Sequence, residues 1–313
     1  MTATGRPVRP RRRRRTARAA LASAAASGLL AALTACGGGT APQGRHPVPS
    51  PTVKQAPVWR TDPSSIAALG DSITVGFDAC TVLSDCPEVS WATGTSPKVD
   101  SLARRLLKKD AAARSWNYAR TGALMSDLPE QITEAATRRP ALVTILIGAN
   151  DACRSDVGAM TSPAAFRAGF ERSMAALRRS LPRTQVYVAA IPDLLRLWSE
   201  GRKNPLGKQV WKLGICGSML RDPDDLTRPA QDRRSQVRDR VMAYNEALAE
   251  VCAKDARCRF DRSVFDYRFT GQQLSTWDWF HPGLNGQQQL AELAFRTITR
   301  KENPLEGAAA PTG

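Results

Sequence analysis

Histidine is nearly absent from this sequence: among 313 residues only two occur, His46 and His281. A metal site made of several histidines is therefore excluded, and a reaction that needs an imidazole has few candidates. The chain also contains no C-x-x-C pair, which argues against a zinc ribbon or a thioredoxin-like site. Any catalytic imidazole must come from one of these two histidines.

Acidic residues are missing from the first 35 positions, where eight arginines lie. The formal net charge of +16 therefore overstates the rest of the chain, in which 37 basic residues face 29 acidic ones. Basic and acidic residues alternate at short spacing in residues 231–254, which is typical of a solvated helix face. Because the chain also lacks a nucleic-acid-binding motif, we predict no nucleic-acid partner.

No apolar run is long enough to predict a membrane-spanning helix. The stretch over residues 19–35 has 17 residues and is rich in alanine, whereas a span needs roughly 20 strongly apolar residues. After an arginine-rich start, such a stretch is typical of the hydrophobic region of a signal peptide. We therefore assign residues 1–35 to an export signal, and the general secretory and twin-arginine routes both stay open.

The signal segment ends in the string L-T-A-C at residues 33–36, which is similar to the bacterial lipobox. In lipoproteins the cysteine of that box is diacylated and becomes the N-terminus. The similarity implies lipidation of Cys36, a lipoprotein-type signal and membrane contact through the lipid anchor. An ordinary secretory signal with an incidental cysteine is the alternative. Either way, we expect an exported, extracytoplasmic protein, membrane-anchored or secreted.

The body of the chain is predicted to be one domain flanked by two non-globular segments. Residues 36–61 are rich in glycine and proline, which is typical of a semi-extended linker. His46 lies in this linker, where nothing nearby is arranged to orient it. Residues 62–302 are predicted to form the folded domain and residues 303–313 a disordered tail. His281 is then the single histidine of the folded domain.

The number of cysteines, seven, is odd for an exported protein. Lipidation of one of them leaves six, and an oxidising compartment allows these to form three disulfides. Four of the six form two pairs of cysteines six positions apart, each able to close a small loop. Sequence alone leaves the connectivity open. The preferred pairing is Cys80–Cys86, Cys153–Cys216 and Cys252–Cys258.

Short apolar runs alternate with helical patterns from residue 64 onward, which predicts an α/β fold with a parallel sheet. Two stretches have no clear pattern, residues 78–95 and 193–228. Both contain cysteines, and disulfides from these can fix their conformation. Predicted strands cover residues 65–69, 116–119, 141–147 and 186–191. Predicted helices cover residues 97–110, 126–139, 163–180, 231–254 and 285–299.

Three short motifs have the chemistry of a hydrolytic site. A G-D-S string ends at Ser72 directly after a predicted strand, where a parallel sheet presents side chains to ligands. Asn150 follows the most apolar strand, and its carboxamide can donate a hydrogen bond to a developing oxyanion. Asp278 precedes His281 by three residues and can orient that imidazole as a base for the serine. Each motif alone is also compatible with an ordinary turn.

Together, the motifs resemble those of the SGNH, or GDSL, hydrolase family over residues 70–281. The G-D-S string matches the family block that carries the nucleophile. Gly122 matches the block that supplies a glycine N–H. The strings G-A-N-D at residues 148–151 and D-W-F-H at residues 278–281 match the G-x-N-D and D-x-x-H blocks. The chain is also similar to secreted actinobacterial lipases and esterases with three disulfides.

The resemblance implies a flavodoxin-like, three-layer α/β/α sandwich and a catalytic triad of Ser72, His281 and Asp278. It also implies an oxyanion hole formed by the N–H of Ser72, the N–H of Gly122 and the side chain of Asn150. No metal or cofactor is required. The rival α/β-hydrolase fold is disfavoured, since residues 64–302 contain no G-x-S-x-G string.

The expected activity is hydrolysis of carboxylic esters, from small molecules or lipids, through an acyl-enzyme intermediate. A carbohydrate O-acetyl esterase with the same triad and a non-catalytic binding lipoprotein are the alternatives. Trp277, Trp279 and Phe280 flank the histidine and fit an acyl or sugar pocket and an ordinary core equally well.

Overall fold

The computed structural model describes residues 58–302. The predicted signal segment, Cys36, most of the linker and the tail lie outside the described residues. Within the described range, five parallel strands form one sheet in the order β2-β1-β3-β4-β5. The strands are β1 (Ile66–Gly70), β2 (Ser115–Asn117), β3 (Leu142–Leu146), β4 (Gln185–Ala189) and β5 (Cys258–Asp261).

Helices connect the strands and cover the sheet. Among residues 58–302, none of them combines the length and apolar character that a membrane-spanning helix requires. The helices are α1 (Ser72–Val75), α2 (Leu102–Leu107), α3 (Ala111–Arg114), α4 (Leu128–Ala136), α5 (Ala149–Ala152), α6 (Pro163–Ser180), α7 (Leu194–Gly201), α8 (Pro205–Trp211), α9 (Gly217–Leu220), α10 (Arg228–Ala253), α11 (Ser263–Asp266) and α12 (Leu284–Thr299).

The strand order places helices on both faces of the sheet. Right-handed crossovers require that the connection from β1 to β2 lie on one face and the later connections on the other. Accordingly, α6 packs against both α4 and α10, while α2 packs against α12. Because both faces are covered, every residue of β1, β3, β4 and β5 is buried. The α/β sandwich with a flavodoxin-like strand order confirms the predicted fold class.

The helix predicted over residues 97–110 is wrong at its start. The chain turns at residues 97–99, and the side chain of Val99 packs beside Cys86 and Val89. Helix α2 therefore begins only at Leu102, where the Oγ of Ser101 accepts the N–H of Arg104 at 3.2 Å. The Oγ of Ser96 also accepts a backbone N–H, that of Lys98 at 3.3 Å, but it does so within the turn and no helix follows it directly.

Strand β5 was not predicted, because two of its four residues carry charge. Both charges are buried and paired in the fold. Asp261 accepts a hydrogen bond of 2.8 Å from the hydroxyl of Tyr187, and Arg259 lies over the ring of Trp59. The tertiary partners thus allow a charged sequence to form a buried edge strand.

The stretch over residues 193–228 was expected to be irregular, and it contains three helices instead. Asp193 accepts the N–H of Leu195 and caps α7, and Asn204 accepts the N–H of Leu206 and caps α8. These caps are local, since each satisfies donors that a helix end leaves unpaired.

All six cysteines of the described residues form disulfides, in the preferred pairing. The bridges are Cys80–Cys86, Cys153–Cys216 and Cys252–Cys258. One closes a loop after α1, one ties α5 to α9, and one joins the end of α10 to β5. Such bridges indicate an extracytoplasmic compartment, because disulfides persist in oxidising environments.

Candidate active site

Ser72 lies at the carboxyl edge of the sheet, immediately after β1. Gly70 ends the strand with φ +150°, and a Cβ there would come 2.2 Å from the carbonyl oxygen of Leu146. The side chain of Asp71 then accepts the N–H of Ile73 and caps the short helix α1. A tight turn with a glycine and a cap thus places the serine side chain at the end of the sheet.

The structure brings Ser72, His281 and Asp278 into one line. The Oγ of Ser72 lies 3.0 Å from Nε2 of His281, and Nδ1 of His281 contacts Oδ2 of Asp278. Oδ1 of Asp278 also accepts the N–H groups of Phe280 at 2.9 Å and His281 at 3.0 Å. A hydroxyl, an imidazole and a carboxylate in this order can pass a proton away from the serine.

The charges around His281 hold the pKa of its imidazole above the ordinary value of 6.5. Burial lowers this pKa, but the nearby carboxylates of Asp278, Asp78 and Asp71 raise it by more. Asp278 is fully buried, which raises its pKa, yet contact with His281 and the two backbone N–H groups leave the pKa below its ordinary value. The carboxylate form of Asp278 is therefore favoured, and its charge favours a protonated imidazole at His281.

Residues outside the motifs fix the loop that carries His281. The N–H of Ser275 donates to the carbonyl of His281 at 2.7 Å. Nε1 of Trp211, at the end of α8, donates to the carbonyl of Asp278 at 2.7 Å. Gln287 in α12 donates to the carbonyl of Ile73 at 2.9 Å and so links this region to α1. None of these positions has a sequence signal, since the contacts join elements far apart in the chain.

Asn150 lies at the carboxyl end of β3, in helix α5. Gly148 precedes it with φ +117°, and a Cβ there would lie 2.7 Å from Cδ1 of Ile191. The Nδ2 group of Asn150 donates to the carbonyl of Ala123 at 3.0 Å, and its second N–H bond has no partner among residues 58–302. The next residue, Asp151, accepts the N–H of Met125 at 2.9 Å. These two bonds tie the loop after β2 to the site.

Gly122 belongs to this tied loop and neighbours Ala123. It is exposed, with φ +82°, and a Cβ added to it would meet no atom within 4 Å. A left-handed backbone favours glycine at this position. Gly122 is not among the residues that line the cavity at Ser72, which include Asn150 and His281.

The cavity at Ser72 is small and largely apolar. Its volume is about 70 Å³. Its polar groups are those of the serine, the asparagine and the histidine, and the Cys153–Cys216 disulfide forms part of the wall. Apolar walls come from Ile73, Leu194, Leu197, Ile215 and Phe280. The cavity volume is well below the roughly 300–1,000 Å³ that is typical of sites for drug-sized ligands.

A larger cavity, of about 600 Å³, lies at the amino-terminal ends of the strands, opposite to Ser72. It is lined by residues that precede β1, β3 and β5, among them Arg60, Arg139 and Arg257. No hydroxyl–imidazole pair lies there, because the single histidine of the described residues is His281. The chemistry therefore points to the smaller cavity.

The sequence left open whether the aromatic residues beside His281 line a substrate pocket or fill the core. Phe280 lines the cavity and is buried, whereas Trp277 is exposed. Trp279 packs on Gly207 of α8, and Trp211 is buried and holds Asp278 as described above. Of the three flanking aromatic residues, only Phe280 thus lines the cavity at Ser72.

Two groups of side chains in the described part of the chain have the close spacing that metal ligands need. In the first, Glu88 lies beside Cys80 and Cys86, whose sulfurs are joined in a disulfide. The second contains Asp78 and the Asp278–His281 pair, in which Nδ1 already contacts a carboxylate. Neither group offers a set of free donors for an ion.

Comparison with known proteins identifies the family. The family model of the GDSL-like lipase/acylhydrolases matches residues 66–294. No curated protein matches the sequence.

Three solved structures similar to this chain are distant from it in sequence. The extracellular lipase of Streptomyces rimosus is 19% identical, with a TM-score of 0.46, over 76% of this chain and 100% of that one. A lipase from a goat rumen metagenome is 14% identical, with a TM-score of 0.49, over 76% of this chain and 99% of that one. A family two carbohydrate esterase of Clostridium thermocellum is 15% identical, with a TM-score of 0.45, over 75% of this chain and 63% of that one.

The family match covers nearly all of the described domain, from β1 into α12. Hydrolysis of an ester, and not ligand binding alone, is therefore the activity of this chain. The protein is a carboxylic ester hydrolase and belongs to the GDSL-like lipase/acylhydrolase family.

Proposed function

We propose that the protein is an exported serine esterase in which Ser72 is the nucleophile, His281 the general base and Asp278 the residue that orients the base. The observation that carries this proposal is the distance of 3.0 Å between the serine Oγ and Nε2 of the histidine. A base within hydrogen-bond reach is what an alcohol needs to attack a carbonyl near neutral pH.

The reaction proceeds in two halves. The Oγ of Ser72 attacks the ester carbonyl while Nε2 of His281 takes its proton, and the protonated imidazole then donates that proton to the departing alcohol. Water repeats the sequence on the acyl-enzyme and releases the carboxylic acid. Asp278 remains ionised throughout and keeps the proton of the neutral imidazole on Nδ1, so that Nε2 faces the serine.

The tetrahedral oxyanion is stabilised by the N–H of Ser72, the N–H of Gly122 and the free N–H bond of Asn150. The hydrogen bond from Asn150 to Ala123 supports this assignment, since it keeps the glycine loop next to the amide. Donors that are fixed before the reaction stabilise developing charge without the cost of reorganisation.

The dimensions of the cavity favour a short acyl group. A space of about 70 Å³ is far smaller than the roughly 300–1,000 Å³ of a site for a drug-sized ligand, which supports a small acyl group such as acetyl. This observation also supports the second candidate function, removal of O-acetyl groups from carbohydrate. The two functions share the acyl site and differ in the alcohol, which lies outside the cavity.

Export and anchoring complete the proposal. The signal-like start, the lipobox-like string ending at Cys36 and the three disulfides support a lipoprotein held at the outer face of a membrane. Labelling cells with an alkyne-bearing fatty acid tests the anchor. Incorporation that is lost in the Cys36→Ser variant is expected, and equal incorporation in both would contradict lipidation.

The activity is tested with p-nitrophenyl esters of increasing acyl length, run beside an acetylated-xylan assay. We expect kcat/KM to be highest for acetate and to fall beyond butyrate, and Ser72→Ala to lower kcat by at least ~10³-fold. Ser180→Ala, at an exposed serine at the end of α6, is the matched control and should leave kcat unchanged. Near-normal turnover by Ser72→Ala would refute the assignment of the nucleophile.

A further inference from the structure

A second aspartate lies beside the proposed triad and has no part in the mechanism above. Asp78 is only 1% exposed, and one oxygen of its carboxyl, one of Asp278 and a ring nitrogen of His281 all lie within 4.8 Å of one another. Oδ1 of Asp78 accepts the N–H of Leu83. Its Oδ2 is buried and has no hydrogen-bond partner among residues 58–302. An isolated buried carboxylate oxygen is unfavourable, so a proton on this oxygen is the simplest way to satisfy it.

The neighbouring carboxylate has one acceptor position left. Oδ1 of Asp278 accepts two backbone N–H groups, and Oδ2 contacts Nδ1 of His281. Because each carboxylate oxygen can accept two hydrogen bonds, Oδ2 can take one more donor. A protonated Asp78 is the acidic group next to it, and its O–H is a donor of the required kind.

The electrostatics of the cluster agree with a shared proton. Burial, followed by repulsion from Asp278, raises the pKa of Asp78 to about 6, although the N–H of Leu83 and the charge of His281 act in the opposite direction. The groups that face His281 are the carboxyls of Asp278, Asp78 and Asp71. Three buried acids therefore surround a single imidazole, and they cannot all ionise without a large cost.

We propose that Asp78 is a positioning residue for Asp278, with which it shares a proton that holds the Asp278 carboxylate toward His281. This inference rests on the proposed function, because it depends on Asp278 orienting the base. Above the pH at which the shared proton leaves, the charge on Asp78 adds to the field at the imidazole. Asp78 therefore also sets the pH at which His281 becomes neutral and able to act as a base.

The surrounding loop fixes the position of Asp78. Its N–H donates to the carbonyl of Ser84 at 2.9 Å, inside the loop that the Cys80–Cys86 disulfide closes. Its carbonyl accepts the Oγ of Ser275 at 2.6 Å. Ser275 also donates its N–H to the carbonyl of His281. One serine thus ties the backbones of both residues together, so the carboxyl and the imidazole keep a fixed separation.

Two substitutions separate the hydrogen bond from the charge. In Asp78→Asn the side chain keeps an acceptor for Leu83 and supplies an N–H donor to Asp278, but it cannot ionise. We expect kcat on the pH plateau to stay within about threefold of the wild type. We also expect the acidic limb of kcat/KM to move to lower pH by at least ~0.5 unit, because a carboxylate that raises the pKa of His281 is lost.

In Asp78→Ala both the donor and the charge are lost. Below the Asp78 pKa of about 6, where the wild type holds the shared proton, we expect kcat to fall at least ~tenfold below that of Asp78→Asn. Asp110→Asn, at an exposed aspartate before α3, is the matched control and should change neither quantity. If Asp78→Ala does not fold, the pH profile of Asp78→Asn decides.

An unshifted acidic limb in Asp78→Asn, or equal kcat values for the asparagine and alanine variants below the Asp78 pKa of about 6, would overturn the inference. In that event Ser72→Ala, assayed in parallel, shows whether the proposed function still stands, because its loss of activity does not depend on Asp78.

Discussion

At the scale of single residues, Asn150 donates one hydrogen bond within the protein and is proposed to donate a second to the substrate. One N–H bond holds the Ala123 carbonyl at 3.0 Å, and the other is free to meet the oxyanion. The residue was expected from its place after the most apolar strand, and the structure puts it in the same cavity as Ser72. Its contact with the glycine loop had no sequence signal.

Replacing Asn150 by alanine removes the proposed donor to the oxyanion. We expect kcat to fall roughly 10²–10³-fold, because the loss of one such donor destabilises the transition state while substrate binding is largely kept. Steady-state kinetics with p-nitrophenyl acetate provide the measurement. A change in kcat of less than threefold would remove Asn150 from the oxyanion hole.

Asp71 should affect how stability depends on pH. Burial raises the pKa of its carboxyl from 3.8 to about 7, against the hydrogen bond from Ile73 that lowers it. A raised pKa means that the stabilising contribution is complete below about pH 4 and is lost as the pH rises through 7. The native state therefore carries an unfavourable buried charge above neutral pH.

The variant Asp71→Asn keeps the acceptor for Ile73 and cannot ionise. At pH 8 we expect it to gain up to about 4 kcal/mol relative to its own difference from wild type at pH 4, at about 1.4 kcal/mol for each unit of pKa shift. Urea unfolding at both pH values measures this difference. The same difference at pH 4 and pH 8 would show that the carboxyl is not perturbed.

At the scale of elements, local signals predicted best. Helix α6 begins at Pro163 and ends at Ser180 as expected, because Ser162 caps it and a proline suits its first turn. Strand β3 was predicted within one residue at each end from its unbroken apolar run. Where charged residues are buried by distant partners, as in β5, the pattern of the sequence misleads.

The disulfide that joins α5 to α9 lies in the wall of the candidate active site. Cys153 follows α5, which carries Asn150, and both Cys153 and Cys216 line the cavity. The double variant Cys153→Ser/Cys216→Ser should lose between about tenfold and a hundredfold in kcat, because small displacements of a donor are costly. Circular dichroism should show that the helices and strands persist.

The bridge Cys252–Cys258 provides the control for that experiment. It joins α10 to β5, and neither cysteine lines the cavity at Ser72. Its double serine variant should lose stability and keep kcat at low temperature. Parallel loss of activity and ellipticity in the Cys153 and Cys216 variant would argue against a specific effect on the site.

At the scale of the whole molecule, the site depends on convergence between distant parts of the chain. Ser72 and His281 are 209 positions apart, yet the sheet and helix α12 bring their side chains to 3.0 Å. The three motifs and the α/β class could be recognised from the sequence, since each depends on residues that are close together in the chain. The sequence did not predict Asp78, Ser275 or Trp211, because their contacts exist only after the chain has folded.

The central claim, that Ser72 is the nucleophile activated by His281, is tested most directly by covalent labelling. The protein is treated with a fluorophosphonate, and peptide mapping by mass spectrometry locates the adduct. We predict one adduct per chain, on Ser72, that is lost in His281→Ala although this variant remains folded. An adduct on another residue, or none while ester hydrolysis continues, would contradict the account.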